Sequence, residues 1–132
     1  MTRDDFLAYI DAFNRDDAAL YRSYYADDVS ISYRGGELTV RGADAIVERY
    51  RDIHKTARQQ LAVQFLAVDV DAVAAEMHST FTALADVPDF IVHPLKAGET
   101  AKIHTFVHYR LNQDGKFAEI RSVRYATLAL PA

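Results

Sequence analysis

Residues 6–14, FLAYIDAFN, run on into 19–33, ALYRSYYADDVSISY, and, after a short turn, into 41–54, RGADAIVERYRDIH. Thr2 ahead of Asp4 and Asp5 has the form of a helix N-cap with negative charge in the first turn. Phe6, Tyr9, Ile10 and Phe13 then share one helical face. Asn14-Arg15-Asp16-Asp17 ends that helix and caps a second, whose apolar stripe is Leu20, Tyr21, Tyr24 and Tyr25. Val29 to Tyr33 alternates like a half-buried strand, Arg34-Gly35-Gly36-Glu37 has turn chemistry, and Leu38-Thr39-Val40 returns. Gly42 to Lys55 reads as a third helix with Ile46, Val47, Tyr50, Ile53 and His54 inward.

Working outward, the pattern changes to long strands over 61–70, 73–84, 101–112 and 117–128. Asp114-Gly115 is a strong hairpin signal between the last two. Residues 86–100, DVPDFIVHPLKAGET, form a loop too long for a plain hairpin, a length that suits a lid or a partner contact. Helices first and an antiparallel meander second predict an α+β fold, in one domain over 1–132.

Strand parity assigns an inner face. Ile103, Thr105, Val107, Tyr109 and Leu111 alternate with polar neighbours, as do Val73, Ala75, Met77, Ser79, Phe81 and Ala83. On the last strand neither set is clean: Phe117, Arg121, Val123 and Tyr125 oppose Ile120, Ser122, Arg124 and Ala126. Such a strand suggests a second buried face, most simply a homodimer interface on the outside of the sheet.

Composition narrows the classes. There is no cysteine, hence no disulfide, thiolate metal site or thiol nucleophile. The net charge of −4 and scattered basic residues argue against nucleic acid and anionic membrane partners. MTRDDFLAYI has acidic residues where a secretory signal carries positive charge, and no run reaches the ~20 apolar residues of a membrane span, so a cytoplasmic protein is expected. Eight tyrosines and seven phenylalanines without a tryptophan suit both a core and a pocket for an apolar molecule.

The stretches YIDAFNRDDAALYRSYYADDVSISY (9–33), RGADAIVERYRDI (41–53) and VHYRLNQDGKFAEIRSVRY (107–125) resemble the nuclear transport factor 2-like superfamily, and within it SnoaL-like and ketosteroid-isomerase-like proteins. The resemblance covers nearly the whole chain. It implies a cone-shaped NTF2-like (cystatin-like) barrel: a strongly curved mixed or antiparallel sheet with three N-terminal helices on its concave face. In bacterial ketosteroid isomerases a first-helix tyrosine stabilises a dienolate, and Tyr9 stands at that position. Two supporting tyrosines match Tyr25 and Tyr50, whereas the general-base aspartate is replaced by Tyr33 and the protonated aspartate by Val107. The likeness therefore implies a donor network without its proton-transfer partner, and no ketosteroid isomerisation by that route. Many SnoaL-like enzymes carry an acid–base residue late on the last strand, where this chain has Arg124. An arginine cannot act as a base at neutral pH, but it can hold a carboxylate or an enolate.

Each candidate also has a plainer reading. Tyr9, Tyr25 and Tyr50 serve equally as core aromatics whose hydroxyls satisfy one another. His54 fits a helix C-terminus, and His93 in the long loop is either solvated or a base that drops into the cavity. His78, His104 and His108 lie on the outer face, with 104 and 108 about 13 Å apart by strand rise, too far to share one ion. No metal and no cofactor is expected.

The expected cavity is lined by Phe13, Tyr33, Met77, Ser79, Phe81, Val107, Tyr109 and Ser122, with Tyr25 and Tyr50 supporting Tyr9. Three functions compete for it. One is a cofactor-independent isomerase, lyase or hydratase acting on a small apolar molecule through Tyr9, Arg124 and either His54 or His93. Another is a binding module without chemistry, favoured by the lack of an inward carboxylate. The third is an interaction domain docking through the sheet.

Overall fold

Helix α1 (Arg3–Asn14) begins with the predicted cap in its reciprocal form: Thr2 Oγ1 accepts from the Asp5 amide at 3.1 Å, and Asp5 Oδ2 accepts from the Thr2 amide at 2.8 Å. A computed structural model describes residues 1–132, and in it α1 buries Phe6, Tyr9, Ile10, Ala12 and Phe13. Asp17 caps the short α2 (Ala18–Arg22), which ends three residues earlier than the apolar stripe suggests. Tyr24 and Tyr25 leave the helix because sheet pairing wins. The Phe117 amide donates to the Tyr24 carbonyl at 2.8 Å, and Tyr25 opens β1 (Tyr25–Tyr33).

A 3₁₀ turn (Arg34–Gly36) leads to β2 (Leu38–Arg41) and then α3 (Ala43–Thr56). Gly42 at φ 94° makes that entry, its amide donating to the Val29 carbonyl at 2.7 Å, a backbone angle that favours glycine. Helix α3 passes directly into β3 (Ala57–Val68), which therefore starts four residues before the expected strand. The meander continues through β4 (Ala72–Ala83), β5 (Thr100–Leu111) and β6 (Phe117–Ala129).

The six strands lie in the order β2-β1-β6-β5-β4-β3, all antiparallel neighbours except the parallel pair β1–β6. With β2 and β3 as free edges the curved sheet stays unclosed, and the three helices fill its concave side. Helix α1 packs on β3, and α3 on β1 and β3. The main core lies between these layers and joins Phe6, Phe13, Tyr21, Ile46 and Phe117 to Val73, Met77, Val107 and Tyr109. The inner sets predicted for β4 and β5 are on this face.

Bulges explain the mixed parity of β6. Leu111 faces Phe117 but Arg110 faces Glu119, so Ala118 is an extra residue and the inward set passes from Phe117 to Ile120, Ser122 and Arg124. A second irregularity at Tyr125 leaves its ring outside against His104 and Phe106. On β3, Gln64 is the extra residue, and Phe65 is left exposed. The segment 86–100 is not a loose loop. Val87 and Leu95 bridge it, and Phe90 meets Phe81 edge-on at 5.2 Å within a second small core. No helix is long and apolar enough to cross a membrane.

Candidate functional site

Between the helices and the concave face lies a cavity of about 470 Å³. Helix α1 supplies Tyr9 and Phe13, α3 supplies Arg49, Tyr50 and Ile53, and β1 supplies Ile31 and Tyr33. Residues Met77, Ser79 and Phe81 come from β4, Thr105, Val107 and Tyr109 from β5, and Ser122 and Arg124 from β6. Ile91 and Val92 bring the bridged segment to the wall. Of the 23 lining residues 16 are hydrophobic, and none is Asp, Glu, Lys or His. That composition suits a mostly apolar molecule oriented by a few polar groups.

The polar groups fall into three sets. Tyr9 and Tyr25 hydroxyls are 2.8 Å apart, with Tyr9 on the wall and Tyr25 behind it. Burial, the dominant cause, raises the pKa of both, as it does for Tyr50 and Tyr109. At neutral pH these four are neutral phenols able to donate hydrogen bonds. Tyr50 makes no hydrogen bond to Tyr9; its ring stacks on His54 (centroids 6.0 Å, 25°) and meets Phe13 edge-on at 4.9 Å.

The second set reaches the wall indirectly. His54, whose side chain is 7% exposed, has Nδ1 2.8 Å from Asp16 Oδ1 and Nε2 3.0 Å from Gln59 Oε1. Gln59 Nε2 donates to Ser79 Oγ at 3.1 Å, and both Gln59 and Ser79 line the cavity. An imidazolium donates to Asp16 and Gln59 together; the neutral ring donates to Asp16 and accepts from Gln59 with its amide turned end for end. His54 thus stands one amide behind the wall. His93 lies away from the cavity, its Nδ1–H donating to the Pro94 carbonyl at 2.7 Å.

The third set is cationic: Arg34, Arg49 and Arg124. The β6 bulge is what turns Arg124 toward Thr105 and the cavity. Arg34, Arg49, Gln59 and Asp16 were not among the sequence candidates. Gln59 precedes the expected start of its strand, and Arg49 sits at the flank of the apolar stripe of α3, where nothing in the periodicity sets it apart.

On the outer face His78 and His104 form a cross-strand pair with ring centroids 4.9 Å apart, and Glu76 Oε1 lies 3.1 Å from His104 Nε2. His108 Nδ1 accepts from Arg121 at 3.2 Å. No group of three or more His, Asp or Glu side chains is placed to hold a metal ion.

Among solved structures the chain is similar to a SnoaL-like polyketide cyclase from Agrobacterium tumefaciens, with TM-score 0.73, 20% identity, and 94% of this chain and 92% of that one covered. It is similar to the epoxide hydrolase/cyclase-like enzyme SalBIII of pyran ring formation in salinomycin, with TM-score 0.73, 19% identity and coverage of 92% and 88%. A third is an LEH-like epoxide hydrolase from M. tuberculosis, with TM-score 0.71, 13% identity and coverage of 90% and 78%. At these identities the likeness shows a shared NTF2-like fold. No curated protein matches the sequence. The SnoaL-like domain model matches residues 6–120, and with that match the chain belongs to the SnoaL-like domain family.

Proposed function

We propose that the chain holds a small, mostly apolar molecule in the cavity and acts on it as a cofactor-independent enzyme of the isomerase, lyase or hydratase type. The observation that carries this reading is the Tyr9–Tyr25 pair at 2.8 Å on an apolar wall. Tyr25 donates to the Tyr9 oxygen, which directs the Tyr9 proton toward a carbonyl, phenol or epoxide oxygen in the cavity. A donor fixed in a low-dielectric pocket stabilises charge that develops on that oxygen. Arg124 offsets the same charge from β6, and His54, through Gln59, holds the Ser79 hydroxyl in place as a positioning residue. The names of the fold neighbours, a cyclase and epoxide hydrolases, are of a kind with this: such reactions turn on polarising an oxygen.

The test is an untargeted mass-spectrometric screen of a metabolite extract incubated with purified protein. Expected is a compound converted to a product of the same mass, or of a mass changed by one water, with the rate cut about 100-fold by Tyr9→Phe. Compounds retained but never converted favour the second reading, a binding module. The observation on that side is the lack of any carboxylate or imidazole on the wall. A second copy is the proposed partner, docking on the outer sheet face at Phe65, Phe106, Val123 and Tyr125, all exposed.

A further inference from the structure

We propose that the molecule taken by this cavity carries a compact anionic head, such as a carboxylate, that docks among Arg49, Arg124 and Arg34 while its apolar body extends toward Tyr9. This rests on the small-molecule reading above and narrows it to amphipathic acids. The chain as a whole is acidic, with 19 Asp and Glu against 15 Lys and Arg. Its cavity reverses that balance, with three arginines and no carboxylate among 23 lining residues. None of the three takes part in any salt bridge within 4.0 Å, although Arg15, Arg22 and Arg121 elsewhere on the surface do.

Arg49 is the sharpest case. Its guanidinium carbon lies 5.2 Å from the Tyr33 ring centroid, and its Nε is buried without a hydrogen-bond partner. Stacking on a ring leaves the in-plane N–H edge of a guanidinium free, and that edge matches a carboxylate in two parallel hydrogen bonds. Acidic groups are at hand, for Glu48, Asp52 and Asp89 line a groove that shares Arg49, yet none pairs with it. A buried donor left without an acceptor is costly, and an anion in the cavity supplies one.

The strand register brings the other two to the same end. Ile31 faces Ile120 and Ser32 faces Arg121 across the parallel pair, so the next step sets Tyr33 beside Ser122, with Arg34 and Arg124 just beyond. Arg49 on Tyr33, Arg34 after it and Arg124 on the neighbouring strand thus form a basic rim over an apolar interior.

Calorimetric titration with naphthoate and with its neutral amide, naphthamide, tests this at low salt, while NMR follows the arginine Nε–H signals. Expected is naphthoate binding about tenfold tighter than naphthamide, with the Arg49 signal shifted by the acid. Arg49→Met should bring the two affinities within about twofold and leave that for the amide unchanged. Arg124→Gln, at an exposed position, should move the ratio the same way, and it decides the matter if Arg49→Met fails to fold by circular dichroism. Equal affinities in the wild type, or a preference that neither variant alters, overturns the anionic head and leaves the small-molecule reading standing. Binding of neither compound overturns both.

Discussion

The Tyr9 and Tyr25 hydroxyls share one hydrogen bond of 2.8 Å, and only Tyr9 also faces the cavity. Removing either hydroxyl is therefore not equivalent. Tyr9→Phe leaves the Tyr25 hydroxyl, 1% exposed, with no acceptor or donor, at a cost of about 1–3 kcal/mol. Tyr25→Phe costs about 1 kcal/mol or less, because the Tyr9 hydroxyl still meets the cavity. Chemical denaturation of the two variants should rank them in that order. The reverse order means that Tyr25 has a partner and Tyr9 does not.

Tyr21 presents the opposite situation. It is fully buried, its hydroxyl has no hydrogen-bond partner, and burial first and Asp16 second raise its pKa to about 12. Deleting an unsatisfied oxygen while keeping the ring against Phe13 removes a penalty without opening a cavity. Tyr21→Phe should raise the midpoint of thermal unfolding or leave it unchanged. A clear loss would identify a water or a polar group that this hydroxyl holds.

These contrasts also mark what a sequence alone can give. The helices of the first third and the inner faces of β4 and β5 follow from apolar spacing, since Phe6, Tyr9, Ile10 and Phe13, or Val73 to Ala83, repeat with one period. Arg124 was ambiguous for a definite reason: the extra residue Ala118 changes the parity of everything after it, and a bulge leaves no local mark in composition. Tyr25 was placed in a helix because its stripe is helical, while a parallel bridge to Phe117, 92 positions along the chain, decides otherwise. Nor is the His54–Gln59–Ser79 chain visible in spacing, since β4 brings Ser79 across from a strand that begins without a loop.

That chain makes His54 a structural test case. Its ring meets Phe13 edge-on at 5.4 Å and stacks on Tyr50, and both nitrogens have partners. His54→Ala removes the packing and frees Gln59, so a loss of about 2–3 kcal/mol is expected. Asp16→Asn keeps the ring and weakens one bond, for a loss of about 1 kcal/mol. An unchanged unfolding midpoint for His54→Ala contradicts this placement.

The outer face carries the dimer proposal. Phe106 stacks on His104 with centroids 5.3 Å apart and meets Tyr125 at 5.0 Å, yet it is 37% exposed, and Val123 is 53% exposed. Contiguous apolar groups on an open sheet face suit a self-complementary two-fold contact. Light scattering should give twice the chain mass of 14.9 kDa for the wild type and the chain mass for Val123→Glu. A monomeric wild type ends the proposal.

Alkaline titration reads the whole aromatic interior at once. Tyr9, Tyr21, Tyr25, Tyr50 and Tyr109 are all raised from 10.0, with burial the largest cause in each. A phenol whose folded pKa is raised contributes stability below the unfolded value and loses it as pH rises past that value. The unfolded chain releases protons above pH 10.0 that the folded chain retains, so the unfolding free energy falls with rising pH there. Tyrosinate absorbance should therefore rise in two stages. Exposed rings such as Tyr125 come first, and the five buried ones come with loss of the near-ultraviolet dichroism of the fold. If all eight tyrosines ionise together near pH 10.0 while the fold persists, the cavity wall is wetter than its packing implies, and Tyr9 loses the dry surroundings that make it a strong donor.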